Sequence, residues 1–278
     1  MGLVEIALIV VAGLAAGFVA GLVGLGGGIV FAPVLFFYFE AIGVEPGVLA
    51  PLTIGTSLFC TVLAAGMSAL HQHREQSVRW GVAGIVGMLS AVAVVLMTQF
   101  VTTQPWYDAT VFQIVFSAVL MLVVVRMLFS RTVTPGARER LQRRTKSFSW
   151  PLLGGIGTAA GTVSTAVGVG GGVVLVPAYA NLLDMPIRMA TGTSSGTIII
   201  ISSTGVLMYA ITGIGVAAPP LALGYVDVGH GLLLAIPALF TARYGVRAAH
   251  RLNATVVRWS FAAVAVFVAV RLIWRALG

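Results

Sequence analysis

Long apolar segments separated by short polar loops account for almost all of this 278-residue chain. The first segment, residues 3–39, has Glu5 as its single charged position. A straight helix of that length would span about 55 Å, whereas the hydrocarbon core of a bilayer is about 30 Å thick. This segment is therefore predicted to fold back or kink. The other apolar segments cover residues 48–70, 80–100, 109–129, 150–183, 190–213, 229–242 and 259–275. The chain thus has eight hydrophobic zones.

The two longest apolar segments each contain a glycine-rich stretch. Residues 21–33 read GLVGLGGGIVFAP and residues 165–177 read TAVGVGGGVVLVP, with seven of the thirteen positions identical. Each glycine weakens a helix by about 1 kcal/mol relative to alanine, and the proline that ends each copy has no N–H group to donate. Both copies are therefore predicted to break a membrane helix. Such a break is tolerated only where the freed backbone groups find partners in protein or in a water-filled cavity.

Other sequences also recur in the two halves of the chain. The tripeptide GTS is found at 55–57 and at 192–194, and residues 109–126 match residues 254–271 at nine of eighteen positions. This similarity predicts an internal duplication. The expected units are a first transmembrane repeat (1–129), a basic cytoplasmic linker (130–149) and a second transmembrane repeat (150–278).

The composition places the chain in a bilayer. Hydrophobic residues make up 59% of it and charged residues only 9%, whereas soluble domains carry about 25% charged residues. The net charge of +8 does not indicate nucleic-acid binding, because the basic residues lie in short loops between apolar segments. That distribution is typical of the cytoplasmic loops of membrane proteins.

The positions of Lys and Arg favour an inverted relation between the halves. If each Gly-broken segment crosses the membrane once, the halves are parallel and eleven of the sixteen basic residues lie inside. If each is a hairpin that returns to its starting side, the halves are inverted and fourteen lie inside. We therefore expect an all-α integral membrane fold of two inverted repeats, with residues 130–149 and 243–258 in the cytoplasm. About ten helical segments result, four of them short and paired as two hairpins.

The glycine clusters and nearby hydroxyls form the candidate substrate site. A helix that starts after a glycine-rich break presents unpaired N–H groups and the positive end of its dipole, which favours anions. Hydroxyls of the GTS segments could donate further hydrogen bonds to an oxyanion. In transporters built from inverted repeats, the substrate site lies at the repeat interface near the midplane. The candidate substrate-binding residues are Gly26, Gly27, Gly28, Thr56, Ser57, Gly170, Gly171, Gly172, Thr193 and Ser194.

These features also have purely structural interpretations, which stay open at this point. Glycines permit close packing of membrane helices, and Ser and Thr hydroxyls bond to carbonyls of their own helix. Arg126 and Arg271, near helix ends, more often extend to the membrane surface than bind a substrate. His71, His73 and His230 are interpreted as loop or edge residues without metal-ligand spacing. No metal, cofactor or catalytic residue is expected, so the chain is not expected to be an enzyme.

The paired glycine clusters, each followed by a GTS motif, together with the basic central linker, resemble the sulfite exporter TauE/SafE family. The resemblance covers the whole chain and implies a multi-pass inner-membrane transporter of small sulfur-containing anions such as sulfite or organosulfonates. The leading hypothesis is a secondary transporter that exports such an anion, and the alternative is an anion channel. The expected partners are a small anionic substrate and the lipid bilayer, with no nucleic acid; a homodimer stays open.

Overall fold

The computed structural model describes residues 3–23, 28–129, 149–216, 219–251 and 254–277. Within these ranges the chain forms ten α-helices. They are α1 (Leu3–Val23), α2 (Gly28–Ala41), α3 (Pro46–Arg74), α4 (Trp80–Met97), α5 (Ala109–Phe129), α6 (Trp150–Val167), α7 (Gly172–Asn181), α8 (Ile187–Thr212), α9 (Val228–Arg251) and α10 (Ala254–Leu277). A π-helical segment, Thr98–Thr102, continues α4. Two short antiparallel strands, β1 (Ala222–Leu223) and β2 (Val226–Asp227), precede α9.

The predicted all-α membrane fold is confirmed. Among the described residues, four helices are long and apolar enough to cross a bilayer: α3, α4 with its π-helical extension, α5 and α8. In its most apolar 18-residue window, α3 has 78% of its residues buried, whereas α4 and α5 have 39% each. The centre of the molecule is therefore α3, with Leu52, Ile54 and Leu58 in its core. The outer helices present apolar surface.

The Gly-broken segments form pairs of unequal helices. α1 has 21 residues and α6 has 18, each long enough, at 1.5 Å per residue, to cross most of a 30 Å core. Their partners α2 and α7 have 14 and 10 residues. The expectation of four short segments is therefore wrong for α1 and α6, because each is long enough to cross most of the core and only the helix that follows it is short.

At the second cluster the glycines interrupt the helix, and in neither copy does the proline end one. Gly168, Gly170 and Gly171 have φ values of +73°, +74° and +78°, a left-handed conformation that side chains with a Cβ rarely adopt. Pro33 lies inside α2 and Pro177 inside α7, where each removes one helical hydrogen bond without ending the helix. Prediction of the break from proline was therefore wrong, and prediction from glycine was right at the second cluster.

The basic loop expected over residues 243–258 is mostly helical. α9 continues to Arg251, and α10 begins at Ala254. Alanine and arginine are both strong helix formers, so the helix continues where its apolar stretch ends. Of the predicted linker over 130–149, only Ser149 lies among the described residues.

The helices that carry the two GTS motifs, α3 and α8, pack side by side in opposite directions. Gly55, near the start of α3, lies against Tyr209, near the end of α8. Farther along α3, the hydroxyl of Ser68 is 3.0 Å from that of Ser195, near the start of α8. Since rising numbers on one helix meet falling numbers on the other, α3 and α8 are antiparallel.

Two further helix pairs each join one helix of the first half to one helix of the second half. α1 packs along α9, and α6 packs along α4. Glycines that lie on the partner's backbone set the register: Gly13 on Leu234 and Gly17 on Ala238 in the first pair, Gly157 on Val86 and Gly161 on Ser90 in the second. Because numbers rise together in both pairs, each pair is parallel.

Candidate functional site

The second glycine turn, residues 168–171 between α6 and α7, lies between α3 and α8. The carbonyl of Gly168 accepts a hydrogen bond from the Ser57 hydroxyl at 2.8 Å. A Cβ placed on Gly168 would lie 3.1 Å from the Cα of Ile54. The structure thus brings one predicted hydroxyl, that of Ser57, directly to the second glycine cluster.

The two glycine clusters also approach each other. A Cβ on Gly28, the first residue of α2, would lie 2.5 Å from the carbonyl oxygen of Val169 in the second glycine turn. Only glycine fits at that distance from a backbone atom. Gly26 and Gly27 lie outside the described residues.

Two hydroxyl-bearing residues that the sequence analysis did not select, Thr61 and Ser202, lie at the second glycine turn. A Cβ on Gly170 would lie 2.6 Å from Cγ2 of Thr61 and 3.1 Å from Oγ of Ser202. Both side chains are 0% exposed, and neither hydroxyl has a hydrogen-bond partner in the described part of the chain. A buried polar group without a partner costs about 1–3 kcal/mol. We refer to Thr61 and Ser202 as the hydroxyl pair.

The start of α7 adds donors next to the hydroxyl pair. Gly171 is the residue before the helix, Gly172 is its first residue, and both are buried. The first N–H groups of a helix have no acceptor within it and carry partial positive charge. The hydroxyl pair and the first N–H groups of α7 are thus neutral donors that lie close to Gly170.

Two tyrosines hold the end of α6 that leads into the turn. The Tyr107 hydroxyl donates to the carbonyl of Ala166 at 2.7 Å. That of Tyr209 donates to the carbonyl of Thr165 at 3.2 Å and lies 2.5 Å from the Thr102 hydroxyl, in the π-helical segment. Burial raises the pKa of the Tyr107 phenol, so this loop residue remains a donor at neutral pH. The tyrosines therefore fix the turn through neutral hydrogen bonds.

The GTS threonines make matching contacts in the two halves. Thr56 accepts a hydrogen bond from the backbone N–H of Asp227 at 2.9 Å. Thr193 accepts one from the backbone N–H of Arg79 at 3.1 Å. Asp227 directly precedes α9, and Arg79 directly precedes α4. We call Thr56 with Asp227 the first junction and Thr193 with Arg79 the second junction.

The GTS glycines belong to the same junctions. A Cβ on Gly55 would lie 2.2 Å from the carbonyl oxygen of Tyr225, two residues before Asp227. A Cβ on Gly192 would lie 2.4 Å from that of Ser77, two residues before Arg79. In the GTS motif, the glycine therefore allows another backbone segment to approach closely, and the threonine accepts a hydrogen bond from an N–H group of that segment.

The predicted site residues thus separate into two groups. Ser57 lies at the glycine turn, whereas the hydroxyls of Thr56 and Thr193 are engaged at the junctions. On α8 the turn contacts Ile198 and Ser202, more than one helical turn beyond Thr193. Ser194 is buried, and its hydroxyl has no partner among the described residues.

A buried hydrogen-bonded pair, Asp227 with His230, also escaped the sequence analysis. Nδ1 of His230 lies 2.5 Å from Oδ2 of Asp227, and the side chains are 7% and 0% exposed. His230 does lie at the edge of its helix, as the third residue of α9, but it is buried, and its ring packs on Tyr38 with centroids 5.1 Å apart. An Asp three residues before a His at a helix start was the available signal. We call Asp227 and His230 the buried pair.

The arginines considered as ligands lie away from the turn. Arg126 and Arg271 are both exposed, and the guanidinium of Arg271 lies 4.9 Å from the ring centroid of Phe37. In the described ranges, no group of three His, Cys, Asp or Glu side chains is arranged to hold a metal ion. The site is therefore built from hydroxyls and backbone groups.

The pattern of glycine turns and GTS junctions extends through the chain, and so does a family match. The model of the sulfite exporter TauE/SafE family matches residues 9–272. The chain belongs to the sulfite exporter TauE/SafE family. The predicted resemblance to this family is therefore confirmed.

Curated relatives are named as membrane transporters. A probable membrane transporter protein of Haemophilus influenzae is 27% identical over 272 residues, covering 96% of this chain and 97% of its own. One from Methanocaldococcus jannaschii is 25% identical over 240 residues, covering 86% and 85%. The probable membrane transporter protein YunE of Bacillus subtilis is 27% identical over 217 residues, covering 74% and 78%. No solved structure matches the chain.

Proposed function

We propose that the protein is a secondary transporter that exports a small sulfur-containing anion, such as sulfite or an organosulfonate, across the cell inner membrane. Membership of the TauE/SafE family and the names of the relatives identify a membrane transporter. The family description supports sulfite as the first anion to test. The proposal assigns the chain no covalent chemistry, cofactor or metal.

The arrangement of the helices supports two inverted repeats, 1–129 and 150–278. α3 and α8 carry the same GTS motif and run in opposite directions. α1 with α9 and α6 with α4 are equivalent pairs with the halves exchanged. Transporters with inverted repeats hold their substrate at the repeat interface. The position of the second glycine turn between α3 and α8, the two helices that carry the GTS motifs, supports a site there.

The hydroxyl pair is the observation that carries the proposal. Thr61 and Ser202 offer two buried donors without partners among the described residues, beside a glycine turn and the start of α7. An oxyanion that leaves water must replace its hydration shell with donors. Hydrogen bonds to a charged group contribute about 1.5–3 kcal/mol each, so a few neutral donors bind the anion and still permit its release.

Close packing around the glycine turns favours a carrier over the alternative of an anion channel. Gly28 lies on the backbone of Val169, and Gly168 lies on that of Ile54. Passage of an anion past these contacts requires the helices to move. A carrier of this kind turns over far more slowly than an open pore conducts.

The proposed partners are the anion and the lipid bilayer. Large apolar side chains of the outer helices are strongly exposed, among them Trp274 at 79%, Trp150 at 69% and Met88 at 66%. Lipid chains would cover such surface. The structure offers no argument for a homodimer, which stays an untested expectation.

The decisive experiment measures anion flux in liposomes that contain the purified protein. We expect uptake of labelled sulfite by the wild type, and loss of most of it in the double variant Thr61→Val, Ser202→Ala. Each lost bond should weaken apparent affinity by about tenfold. The double variant should unfold at the same or a higher temperature, because it removes two buried hydroxyls that lack partners.

Thr158→Val is the matched control, because the exposed Thr158 hydroxyl bonds only to carbonyls of its own helix, Gly154 and Gly155. It should transport sulfite like the wild type. Normal flux by a folded double variant would refute the site. Single-channel currents from the wild type would show that the protein is a channel and not a carrier.

A further inference from the structure

We propose that the buried pair of Asp227 and His230 is a proton-binding site that couples proton movement to anion transport. The inference rests on the proposed transport function. Among the described residues, it is the single pair of a carboxylate and a basic side chain in which both partners are buried: the other two pairs, Glu75 with Arg188 and Glu40 with Arg275, are exposed or half-exposed. Ionisable side chains inside a membrane protein most often mark ion or proton pathways.

The geometry holds the imidazole in one orientation. Oδ1 of Asp227 accepts from the backbone N–H of His230 at 2.9 Å, and Oδ2 lies 2.5 Å from Nδ1. The ring is enclosed by Tyr38 and Phe39, with centroid distances of 5.1 and 5.9 Å. With Nδ1–H directed at the carboxylate, Nε2 is the nitrogen that gains and releases a proton.

The second junction shows that the fold does not need this pair. There the position before the helix is Arg79, and the third helical residue is Val82, which is buried. Thr193 nevertheless accepts the backbone N–H of Arg79, just as Thr56 accepts that of Asp227. In the second junction, the hydrophobic Val82 thus occupies the position that His230 has in the first. Burying two charges is costly where apolar packing would suffice, so the pair indicates a function present in one half only.

The buried pair is linked to the proposed anion site by two consecutive residues of α3. Thr56 is bonded to the backbone of Asp227, and Ser57 donates to the carbonyl of Gly168 in the second glycine turn. A change in the charge of the pair can therefore shift α3 against the turn. This contact path gives the coupling a physical route.

The net charge of the buried pair depends on a single proton, the one that His230 gains or releases. Among the described side chains, the titratable ones that face it are Tyr38 of α2 and Cys60 of α3, whose thiol donates to the carbonyl of Gly231. In the described part of the chain, no Lys or Arg side chain forms an ion pair with Asp227. The pair is neutral overall when His230 is protonated and carries one negative charge when it is not.

The negative state of the pair disfavours a nearby anion, whereas the neutral state admits it. Proton binding and anion binding therefore strengthen each other, and this coupling is reciprocal. Nε2 of His230 takes a proton from water on one side of the membrane and returns it on the other, so that one N–H bond forms and then breaks. A sulfite dianion with one proton still leaves as net negative charge, which an inside-negative membrane potential drives outward.

The test uses the full-length protein in liposomes with a trapped pH dye and labelled methanesulfonate, whose charge stays constant between pH 5 and 9. With the outside one pH unit more acidic, one proton per anion gives the wild type an accumulation of about tenfold. Asp227→Asn keeps an oxygen to cap α9 and should exchange methanesulfonate without accumulating it. His230→Gln should behave in the same way.

Asp108→Asn is the matched control. Asp108 is an exposed aspartate that caps α5 by accepting from Val111 N–H at 2.9 Å. Asp108 caps its helix as Asp227 does but has no histidine partner. The Asp108→Asn variant should therefore accumulate methanesulfonate as the wild type does.

The outcomes separate the two proposals. Anion flux without proton flux in the wild type overturns the coupling and leaves transport intact. Accumulation by Asp227→Asn overturns the assignment to this pair. If neither variant folds, the pair is structural and the inference fails. If the wild type moves neither methanesulfonate nor sulfite, the transport function fails and the coupling fails with it.

Discussion

The first and second junctions are the same structural device with different chemistry. In both, a GTS glycine lies against a backbone carbonyl, and the adjacent threonine accepts the N–H of the residue that precedes the next helix. The first junction adds a buried aspartate and histidine. The second has an exposed arginine and a buried valine at those positions. The contacts that join the helices are thus shared, and the titratable groups are confined to one half.

This difference separates features that helix packing requires in both halves from features that serve another purpose in one half. A feature present in both halves is explained by helix packing. A feature present in one half needs another reason, since the other half folds without it. By that criterion the GTS motifs are structural, whereas the buried pair is a functional candidate.

The largest effect on the comparison should come from the junction glycines. Gly55→Ala and Gly192→Ala each place a methyl group less than 2.5 Å from a backbone carbonyl oxygen. We expect each to destabilise the protein by about 1–3 kcal/mol, the usual cost of overpacking. Thermal unfolding in detergent measures this effect.

Gly66→Ala is the control for both glycine variants, because a Cβ at Gly66, also on α3, would meet nothing within 4 Å. It should be neutral or stabilising by about 0.5–1 kcal/mol, since alanine favours the helix. Equal melting temperatures for Gly55→Ala and Gly66→Ala would contradict the close approach at the first junction.

The threonines should distinguish the junctions. Thr56→Val leaves the N–H of Asp227 without a partner at a position that is 0% exposed, at a cost of about 1–3 kcal/mol. Thr193→Val frees the N–H of Arg79, which is exposed and can bond to water. Its cost should not exceed about 1 kcal/mol. Chemical unfolding of both variants tests this order, which equal or reversed losses would refute.

A smaller difference is expected between the serines that follow. Ser57→Ala removes a hydrogen bond to the Gly168 carbonyl and should cost about 0.5–1.5 kcal/mol. Ser194→Ala removes a buried hydroxyl without a described partner and should be neutral or stabilising. Melting curves of the two variants provide the measurement. Marked destabilisation by Ser194→Ala, or none by Ser57→Ala, would contradict this order.

The smallest effects should come from the exposed ion pairs. Arg188 bonds to Glu75 between α8 and the end of α3, and Arg275 bonds to Glu40 between α10 and α2. Exposed pairs contribute about 0–1 kcal/mol. Arg188→Ala and Arg275→Ala should therefore melt within a few degrees of the wild type, and both should lose their small effect at high salt. A large loss in either variant would mean that the pair has a role beyond surface electrostatics.

Hydropathy, glycine content and internal similarity were enough to predict the membrane class, the helical fold and the break at the second glycine cluster. These properties depend on residues that are close together in the chain. Helix ends were predicted less well, because α9 and α3 continue through polar residues such as Arg247 and His71, which do not oppose a helix as glycine and proline do. Polarity marks the membrane boundary and not the end of a helix.

The sequence alone therefore determined which segments enter the bilayer and where glycine must interrupt them, since a Cβ is excluded from left-handed turns whatever surrounds them. Only the tertiary structure decided what the polar side chains do. Thr56 and Ser57 are neighbours in sequence, yet one accepts from Asp227 and the other donates to Gly168. Thr61 and Ser202 meet at one turn although 141 positions separate them (202 − 61). A hydroxyl becomes a site or a structural contact according to the partners that distant helices bring to it.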